Sequence, residues 1–574
     1  MTVTLDLLFP HLDDLIQTLA DVQRLNEAIL QLAVQGKLVP QDPQDEPAGE
    51  LLKRIAVEKE QLRIGKGIKK MMSLTDVTLK DAAFAISSSW SWVTLDDICY
   101  QITDGTHHTP DYVEQGVPFI SAKDISGGYI NFSDTRFITP EAHENLTQRC
   151  KPELGDLLLT KVGTTGIAKL VDVEKEFSIF VSVALLKFPQ NEIDGQFLEY
   201  VVNSPLVKQQ SDEFTMGVGN KNLVLKHIRA FKIPLPPLAE QKRIVAKVAE
   251  LFAQTSALEA KLRRAQVAIV VVNRAVLHHL HHAADRATFQ HAAQILGDHF
   301  DLLYTDPRPV TDLRQTILQL AVQGKLVPQD PHDEPAGALL KRVEKEKERL
   351  MAEGKIKKEK LLPSINDDEV SFGVPVKWQW IRFGVLAQIQ SGYAFKSEWY
   401  SSDGIRLVRN VNIGHGSIDW SDTANLPMDK RAEFANFELK ENDLLISLDR
   451  PIISTGLKLV QVTHNDLPSL LVQRVGRMLF FCDDWIDLDY VKIWFKSSVF
   501  LDSIDPGRSN GVPHISQKDV ANAPFPLPPL AEQKRIVAKV DELLARCAAL
   551  ERKLGQAQVA GRQLTAAVLQ GVVG

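Results

Sequence analysis

The sequence predicts an α+β protein. Two globular domains, mixed but mainly β, are separated by long antiparallel coiled-coil helices, and a pseudo-twofold internal repeat sets the N- and C-termini side by side. Three observations carry this expectation. First, the 574-residue chain is written nearly twice. AILQLAVQGKLVPQDPQDEPAGELLKRI from Ala28 returns as TILQLAVQGKLVPQDPHDEPAGALLKRV from Thr316, and PLPPLAEQKRIVAKV from Pro234 returns unchanged from Pro526. Second, each copy of the latter element leads into apolar or small residues spaced alternately four and three apart, the seam of a coiled coil. Third, the segments between the repeats carry short β-branched and aromatic runs broken by turn residues.

The elements follow in chain order. The N-terminal helical region, 1–89, holds LIQTLADVQRLNEAILQLAVQG, whose closing Gly36 is a helix stop followed by Pro40; Gly324 and Pro328 repeat the device. A loop rich in Pro, Asp and Gly then precedes a charged helix. The first insert, 90–233, opens on Trp90, Trp92 and Leu95, and the second, 378–525, on Trp378, Trp380 and Phe383, in each case 288 positions later. Inside the inserts only fragments match, such as GDLLLTK at 155–161 against NDLLISL at 442–448. The central helical region, 234–377, begins after Pro236-Pro237 with the seam Ile244, Val248, Leu251, Thr255, Leu258, Leu262, Ala265, Ile269, Val272 and Val276. The C-terminal region, 526–574, repeats it as Ile536, Val540, Leu543, Cys547, Leu550, Leu554, Ala557, Gly561, Leu564 and Val568. Forty helical residues span about 60 Å, enough to hold two domains apart. The central frame copy is contiguous whereas the other is split between the chain ends, so an equivalent bundle requires the C-terminal region to pair with the N-terminal one.

Composition narrows the function. With 44% hydrophobic and 24% charged residues the chain is globular rather than disordered. Its apolar runs are too short for a membrane span and its first residues lack a signal peptide's basic and apolar regions, which predicts a cytoplasmic protein. Cys99, Cys150, Cys482 and Cys547 form no C-x-x-C pair, an argument against a zinc site or a disulfide framework. A net charge of -7 opposes a simple nucleic-acid binder, so any DNA role needs either basic groups gathered on one surface or positive charge added by partners.

The insert loops carry side chains suited to base edges and phosphates. In the first insert these are Thr103, Asp104, Thr106, His107, Ser121, Lys123, Lys161, Thr164, Thr165, Asn220, Lys221 and Asn222. In the second they are Ser391, Tyr393, Lys396, Arg406, Arg409, Asn410, Asn412, Arg450, Arg508, Ser509, Asn510, His514 and Lys518. The alternative for any one of them is an ordinary solvated loop residue. HHLHH at 278–282 places His278 and His282 one helical turn apart, a metal-chelating spacing, but the second half has AAVLQ there and no carboxylate completes a site; a solvated helix end is the simpler reading, and no metal ligand is assigned. Asp156 with Lys161 has nuclease-like residue types, but the counterpart Asp443 lacks the lysine, which favours a strand-end role.

PLPPLAEQKRIV occurring twice, the element L-x-x-A-x-x-G-K-L-V-P, the WxW openings and the G-D-L-L-L strand resemble the specificity subunits of type I restriction-modification systems over essentially the whole chain. The resemblance implies a non-catalytic DNA-binding subunit of a phage-defence system, with each insert a target recognition domain for one half of a bipartite DNA site. It implies docking of two methyltransferase subunits for adenine N6 methylation and, through the complex, of two motor-nuclease subunits for ATP-dependent cleavage. S-adenosylmethionine, ATP and magnesium then belong to those partners and none to this chain. The absence of a Walker A pattern and of an NPPY- or DPPY-type motif agrees with this. Frame residues taken as candidates for partner docking are Gln35, Lys37, Leu38, Val39, Glu240 and Arg243, with Gln323, Lys325, Leu326, Val327, Glu532 and Arg535 in the second copy. Two other readings stay open at this point: a self-contained enzyme, which needs a catalytic motif the chain does not supply, and a coiled-coil interaction protein with no DNA role, which leaves the two unlike inserts unexplained.

Overall fold

Thr18 opens the first frame helix, Leu19–Val34, with a capping box: its hydroxyl accepts from the Asp21 amide at 3.2 Å, and the Asp21 carboxylate accepts from the Thr18 amide at 3.0 Å. The helix stops where Gly36 takes φ +68° and the Lys37 amide closes on the Leu32 carbonyl at 3.0 Å. The repeated helix, Arg308–Val322, stops identically, with Gly324 at φ +69° and Lys325 closing on Leu320 at 3.0 Å. A computed structural model describes residues 11–65, 83–215, 222–356, 361–370, 372–453, 456–504 and 514–573.

The chain forms two compact units, Met1–Gln266 with Val559–Gly574, and Val267–Gln558. In the first unit, one apolar core joins Leu25, Ile29 and Val34 of the first frame helix to Trp90, Leu95 and Phe231 of the insert, Ile244 and Val248 of a long helix, and Leu569 near the C-terminus. The Thr565 hydroxyl lies 3.4 Å from the Leu15 carbonyl, and Arg24 donates to the Arg562 carbonyl at 3.5 Å. The beginning and end of the chain therefore meet inside this unit, as a split frame requires.

The insert of this unit is closed at its neck by β1 (Ser91–Thr94) and β9 (Lys232–Leu235), paired antiparallel. Between them, β2 (Gln101–Asp104), β8 (Val183–Lys187), β5 (Leu157–Thr160) and β6 (Ala168–Leu170) make an antiparallel sheet in that order. A smaller sheet runs β4 (Arg136–Ile138), β3 (Val117–Ile120), β7 (Ser178–Ile179). In the second unit the neck is β10 (Gln379–Arg382) with β21 (Pro524–Leu527). Its main sheet runs β11 (Ala387–Ser391), β20 (Val475–Phe480), β15 (Leu444–Ser447), β18 (Leu459–Gln461), β13 (His415–Gly416). Its smaller sheet runs β14 (Asn425–Leu426), β12 (Ile405–Val408), β19 (Ser469–Leu471), and β16 (Ile452–Ile453) pairs antiparallel with β17 (Gly456–Leu457). The two inserts thus share a plan: the second and third sheets of one map strand for strand onto those of the other, with β13 added.

The long helices are Leu238–His282 and Leu530–Val573, 45 and 44 residues. Each is pinned where it begins by the glutamine of its PLPPLAEQ element. Gln241 accepts from the Asp194 amide at 2.9 Å and donates to the Pro236 carbonyl at 3.0 Å; Gln533 does the same with Asp487 at 2.8 Å and Pro528 at 3.1 Å. Along the first helix the buried stripe follows Ile244, Val248, Leu251, Thr255 and Leu258 as the spacing predicts, then departs from it. Beyond Leu262 the expected Val276 is buried, together with Asn273 and Leu280 off the expected register, while Ala265 and Val272 are exposed. The second helix does likewise: beyond Leu554 burial moves to Thr565 and Leu569, and Ala557, Gly561 and Leu564 are exposed. Gln266 and Val267 belong to different units, as do Gln558 and Val559, so each change of buried face falls where its helix passes from one unit into the other. The unbroken heptad register expected from the sequence is corrected accordingly. Cys99, Cys150 and Cys547 are buried, and all four cysteines are unpaired.

Candidate nucleic-acid interface

The geometry of both inserts starts from one glycine. At the end of β2, a Cβ on Gly105 would sit 2.0 Å from the Ile179 carbonyl oxygen; beyond β11, a Cβ on Gly392 would sit 2.3 Å from the Val472 carbonyl. Only glycine lets the strand cross its neighbour so closely. The next residue is then locked into the smaller sheet. The Thr106 amide donates to Ile179 at 3.2 Å and its carbonyl accepts from Val181 at 3.0 Å, while Tyr393 makes the same pair with Leu471 at 3.0 Å and Gln473 at 2.8 Å. TDGTHH and SGYAFK are therefore equivalent loops leaving the same end of equivalent sheets.

In the first insert, Asp104 is buried and accepts from Lys161 Nζ at 3.0 Å; Lys161 is itself only 5% exposed. Arg149 donates through Nη2 to the Asp104 and Gly105 carbonyls, both at 2.7 Å, and His107 Nε2 lies 3.4 Å from the Asp104 carboxylate. Asp104 and Lys161 are too enclosed to touch a duplex directly, which corrects their expected contact role: they build the site rather than face it. Thr103 is half-buried in the ladder opposite Leu185. Thr106 turns its hydroxyl to the His108 carbonyl at 3.0 Å. Ser121 is spent on the capping box with Asp124, and exposed Lys123 pairs with Asp134 at 2.9 Å. Thr164 is exposed and Thr165 half-buried between Gly163 and Gly166, both with positive φ; exposed Asn222 bridges to Val162. Asn220 and Lys221 lie outside the described residues.

The second insert places its candidates differently. Ser391 is half-buried at the end of β11. Tyr393 joins Phe395, Phe434 and Phe437 at ring-centroid distances of 5.0, 4.8 and 5.6 Å, and exposed Lys396 lies 5.7 Å from the Trp399 ring. Arg406 stacks 4.3 Å from Trp420 and donates to the Asn465 carbonyl at 2.7 Å; Arg409 pairs with Asp422 at 2.9 Å. Asn412 is buried and clips the Asp419 and Asp422 carbonyls at 2.8 Å each, and Asn410 accepts from Ser447. Asn412 is thus corrected from base reader to loop brace. Arg450 is exposed with φ +52°, at the place where the first insert has Gly163; Lys518 is exposed on the short helix Gln517–Asn522. His514 Nδ1 lies 3.0 Å from Asp449, which also accepts from Arg474 Nη1 at 2.8 Å. Arg508, Ser509 and Asn510 lie outside the described residues. Sequence reasoning passed over Arg149, Asp449 and Arg474, because the first and last sit in runs that read as helix end and strand.

The frame candidates are largely turned inward. Glu240 and Glu532 are each 1% exposed and accept from the indole Nε1 of Trp90 and Trp378, both at 2.9 Å. Glu532 also accepts from Gln329 at 2.6 Å. Burial raises both carboxyl pKa values above the ordinary range. Arg243 and Arg535 grip Asp45 and Asp333 at 2.7 and 2.6 Å. The two glutamates are therefore internal clips and cannot dock a partner as expected, since the surface reaches neither. Gln35 is half-buried, Gln323 buried, and Lys37 exposed. Leu38 with Val39, and Leu326 with Val327, pack against the cores of their own units. Lys325 donates to the His281 and Ala283 carbonyls at 2.7 and 3.1 Å, capping the end of the first long helix. There His278 and His282 stack at 4.0 Å, and burial pulls the His281 pKa down to about 4. Among the described residues no three His, Cys, Asp or Glu side chains gather as metal ligands. Asp156 takes the strand-end role, accepting from Lys187 at 2.6 Å, as Asp443 does from Arg477 at 3.1 Å.

Comparison with known proteins places this geometry. Residues 87–267 and 375–557 each match the type I restriction modification DNA specificity domain. The chain is similar to the EcoAI specificity subunit of Escherichia coli, 40% identical over 92% of this chain and 89% of that one. It is also similar to the Escherichia coli EcoEI specificity subunit, 31% identical over 94% and 91%. Among solved structures, the HsdS subunit from Thermoanaerobacter tengcongensis aligns at 18% identity over 86% of this chain and 98% of that one, with a TM-score of 0.40.

Proposed function

The chain belongs to the type I restriction-modification DNA specificity family, and on that premise we propose that its two inserts, 90–233 and 378–525, are recognition domains that each read one half of a split duplex site. It is the non-catalytic subunit of such a system, selecting the sequence on which other subunits act. The frame regions 1–89, 234–377 and 526–574 hold two methyltransferase subunits, which methylate adenine N6 with S-adenosylmethionine. Two motor-nuclease subunits join them to move and cut DNA with ATP and magnesium. The complex works in the cytoplasm; among the described residues no helix is long and apolar enough to cross a membrane.

One observation supports this reading above the others. Several frame bonds recur in both copies, among them the Trp–Glu and Arg–Asp pairs, while the inserts share a strand plan and differ in what their loops present. One mechanical job done twice and two related recognition jobs done on different sequences produce that pattern. Candidate DNA contacts at the shared sheet end are His107, Thr164 and Asn222 in one domain and Tyr393, Lys396, Arg450 and His514 in the other.

Replacing residues 90–233 by the insert of another family member, followed by methylome sequencing of cells carrying the chimaera, tests it. One half of the methylated motif is expected to change while the other half remains. A motif altered in both halves, or methylation independent of this chain, overturns the reading.

A further inference from the structure

Each recognition domain holds a carboxylate that gathers cations at the same end of its central sheet, and the two clusters are built from different residues. In the first, Asp104 is ringed by Lys161, Arg149 and His107 at 3.0, 3.6 and 3.4 Å. In the second, Asp449 faces Arg474 at 2.8 Å and His514 at 3.0 Å. Backbone bonds fix the correspondence. The Lys161 amide donates to Ser182 at 2.9 Å as the Leu448 amide donates to Arg474 at 2.8 Å, and Val162 bridges Asn222 as Asp449 bridges His514.

Counting histidines neutral, two cations (Lys161, Arg149) face one carboxylate in the first domain, and Arg474 alone balances Asp449 in the second. Lys161 neutralises Asp104 in the interior, which leaves Arg149 and His107, with side chains 56% and 64% exposed, to face water. Arg474 and His514 are 62% and 70% exposed. Arg474 at φ +66° and Arg450 at φ +52° adopt a backbone that side-chain-bearing residues rarely take, and such conformations concentrate where function needs them. A feature shared by two domains that read different sequences has to engage what every sequence shares, the sugar-phosphate backbone.

We propose that Arg149 with His107, and Arg474 with His514, grip DNA phosphates of their respective half-sites, and that Asp104 and Asp449 are positioning residues that aim them. The proposal rests on the DNA-reading assignment of the two domains. It adds contacts that fix register and carry no sequence preference.

The test uses the full chain and a random duplex pool, with sequencing of the bound fraction and titration of the selected duplex against salt. Arg149→Gln and Arg474→Gln are each expected to weaken binding about tenfold, the size of one charge-assisted hydrogen bond. Each is expected to lower the slope of log K against log salt by about one while both half-site motifs survive. Arg474→Lys restores the slope. Asp449→Asn gives most of the Arg474→Gln loss, and the double variant loses no more than Arg474→Gln alone, a non-additivity that a general loss of structure would not produce. Lys53→Gln, an exposed cation on the frame helix Ala48–Gly65, leaves the slope unchanged. Folded arginine variants with the wild-type slope, or with a half-site motif erased, overturn the proposal. If Arg474→Gln does not fold, Asp449→Asn carries the test with the same two outcomes. A wild-type chain that selects no motif refutes the DNA reading instead.

Discussion

In the frame, Trp90 meets Glu240 and Trp378 meets Glu532 at the same 2.9 Å, Phe84 and Phe372 lie 5.1 Å from Trp92 and Trp380, and Gln241 and Gln533 hold Asp194 and Asp487 at 2.9 and 2.8 Å. In the recognition domains, position for position, Asp104 stands opposite Ser391, Thr106 opposite Tyr393, and Gly163 opposite Arg450. The frame is conserved as a set of bonds; the domains are conserved as a path for the backbone. Bonds survive duplication where a buried polar group needs its partner, as an indole N–H on a buried carboxylate does. Side chains drift where the fold needs only the glycine that lets two strands cross, leaving the loop beyond it free to vary.

The largest expected effect falls on the frame. Trp90→Ala and Trp378→Ala should each destabilise their own unit by about 3–5 kcal/mol, through lost burial and a stranded carboxylate. Denaturation followed by hydrogen exchange resolved along the chain would check this, and equal costs in the two units would sharpen the comparison. A cost in only one would break it, because the copies would no longer be mechanically equivalent.

Next come the crossing glycines. Gly105→Ala and Gly392→Ala should each cost about 1–3 kcal/mol, since the added methyl meets a backbone carbonyl that cannot move aside. On the proposed reading, each should also blur only one half-site in a duplex selection. Blurring of both half-sites would show that the domains are less independent than their separate sheets indicate.

The smallest effect is a pH signature of the two clips. Burial raises Glu240 and Glu532, so their contribution to folding is fully present below the unfolded carboxyl range and is lost as pH rises through the raised folded values. Glu240→Gln and Glu532→Gln keep an acceptor for the indole and remove that loss. The difference in Tm, variant minus wild type, should therefore become more positive from pH 4 to pH 7 in both copies. A difference that is flat or falls with pH would show that these carboxylates are not raised.

How far the sequence spoke follows the same division. The frame was legible because repetition marked it: Gly36 and Gly324 as stops, the Trp pairs as domain openings, the proline pairs before the long helices. What those residues bind was not legible. Glu240 reads as a polar position on an amphipathic helix, and its partner Trp90 lies 150 residues away; the one available signal was that both recur in the second copy, as Trp378 and Glu532. The heptad pattern did not show where the buried face lapses, because Ala265 and Val272 are as apolar as residues that are buried, and hydrophobicity does not distinguish a seam from an exposed stripe. In the loops, composition offered His107, Arg450 and His514 as candidates alongside Asn412, and could not separate a residue free to reach a ligand from a brace such as Asn412. It also passed over Arg474, whose left-handed backbone is a property of the fold.

The meeting of the two chain ends has a consequence for how the protein is made. The first unit is complete only when residues 559–573 emerge, yet its own first stretch ends at Gln266, 292 residues before Gln558. At 5–20 residues per second a ribosome needs about 15–60 s to cover that distance. Through this interval the sites that receive Leu569 and Thr565 stand open on the nascent chain, and a chaperone or a premature partner could reach them. Synthesis of the second unit therefore sets the waiting time for the first, and a stop codon in the last sixteen positions would harm the amino-terminal half more than the half in which it lies.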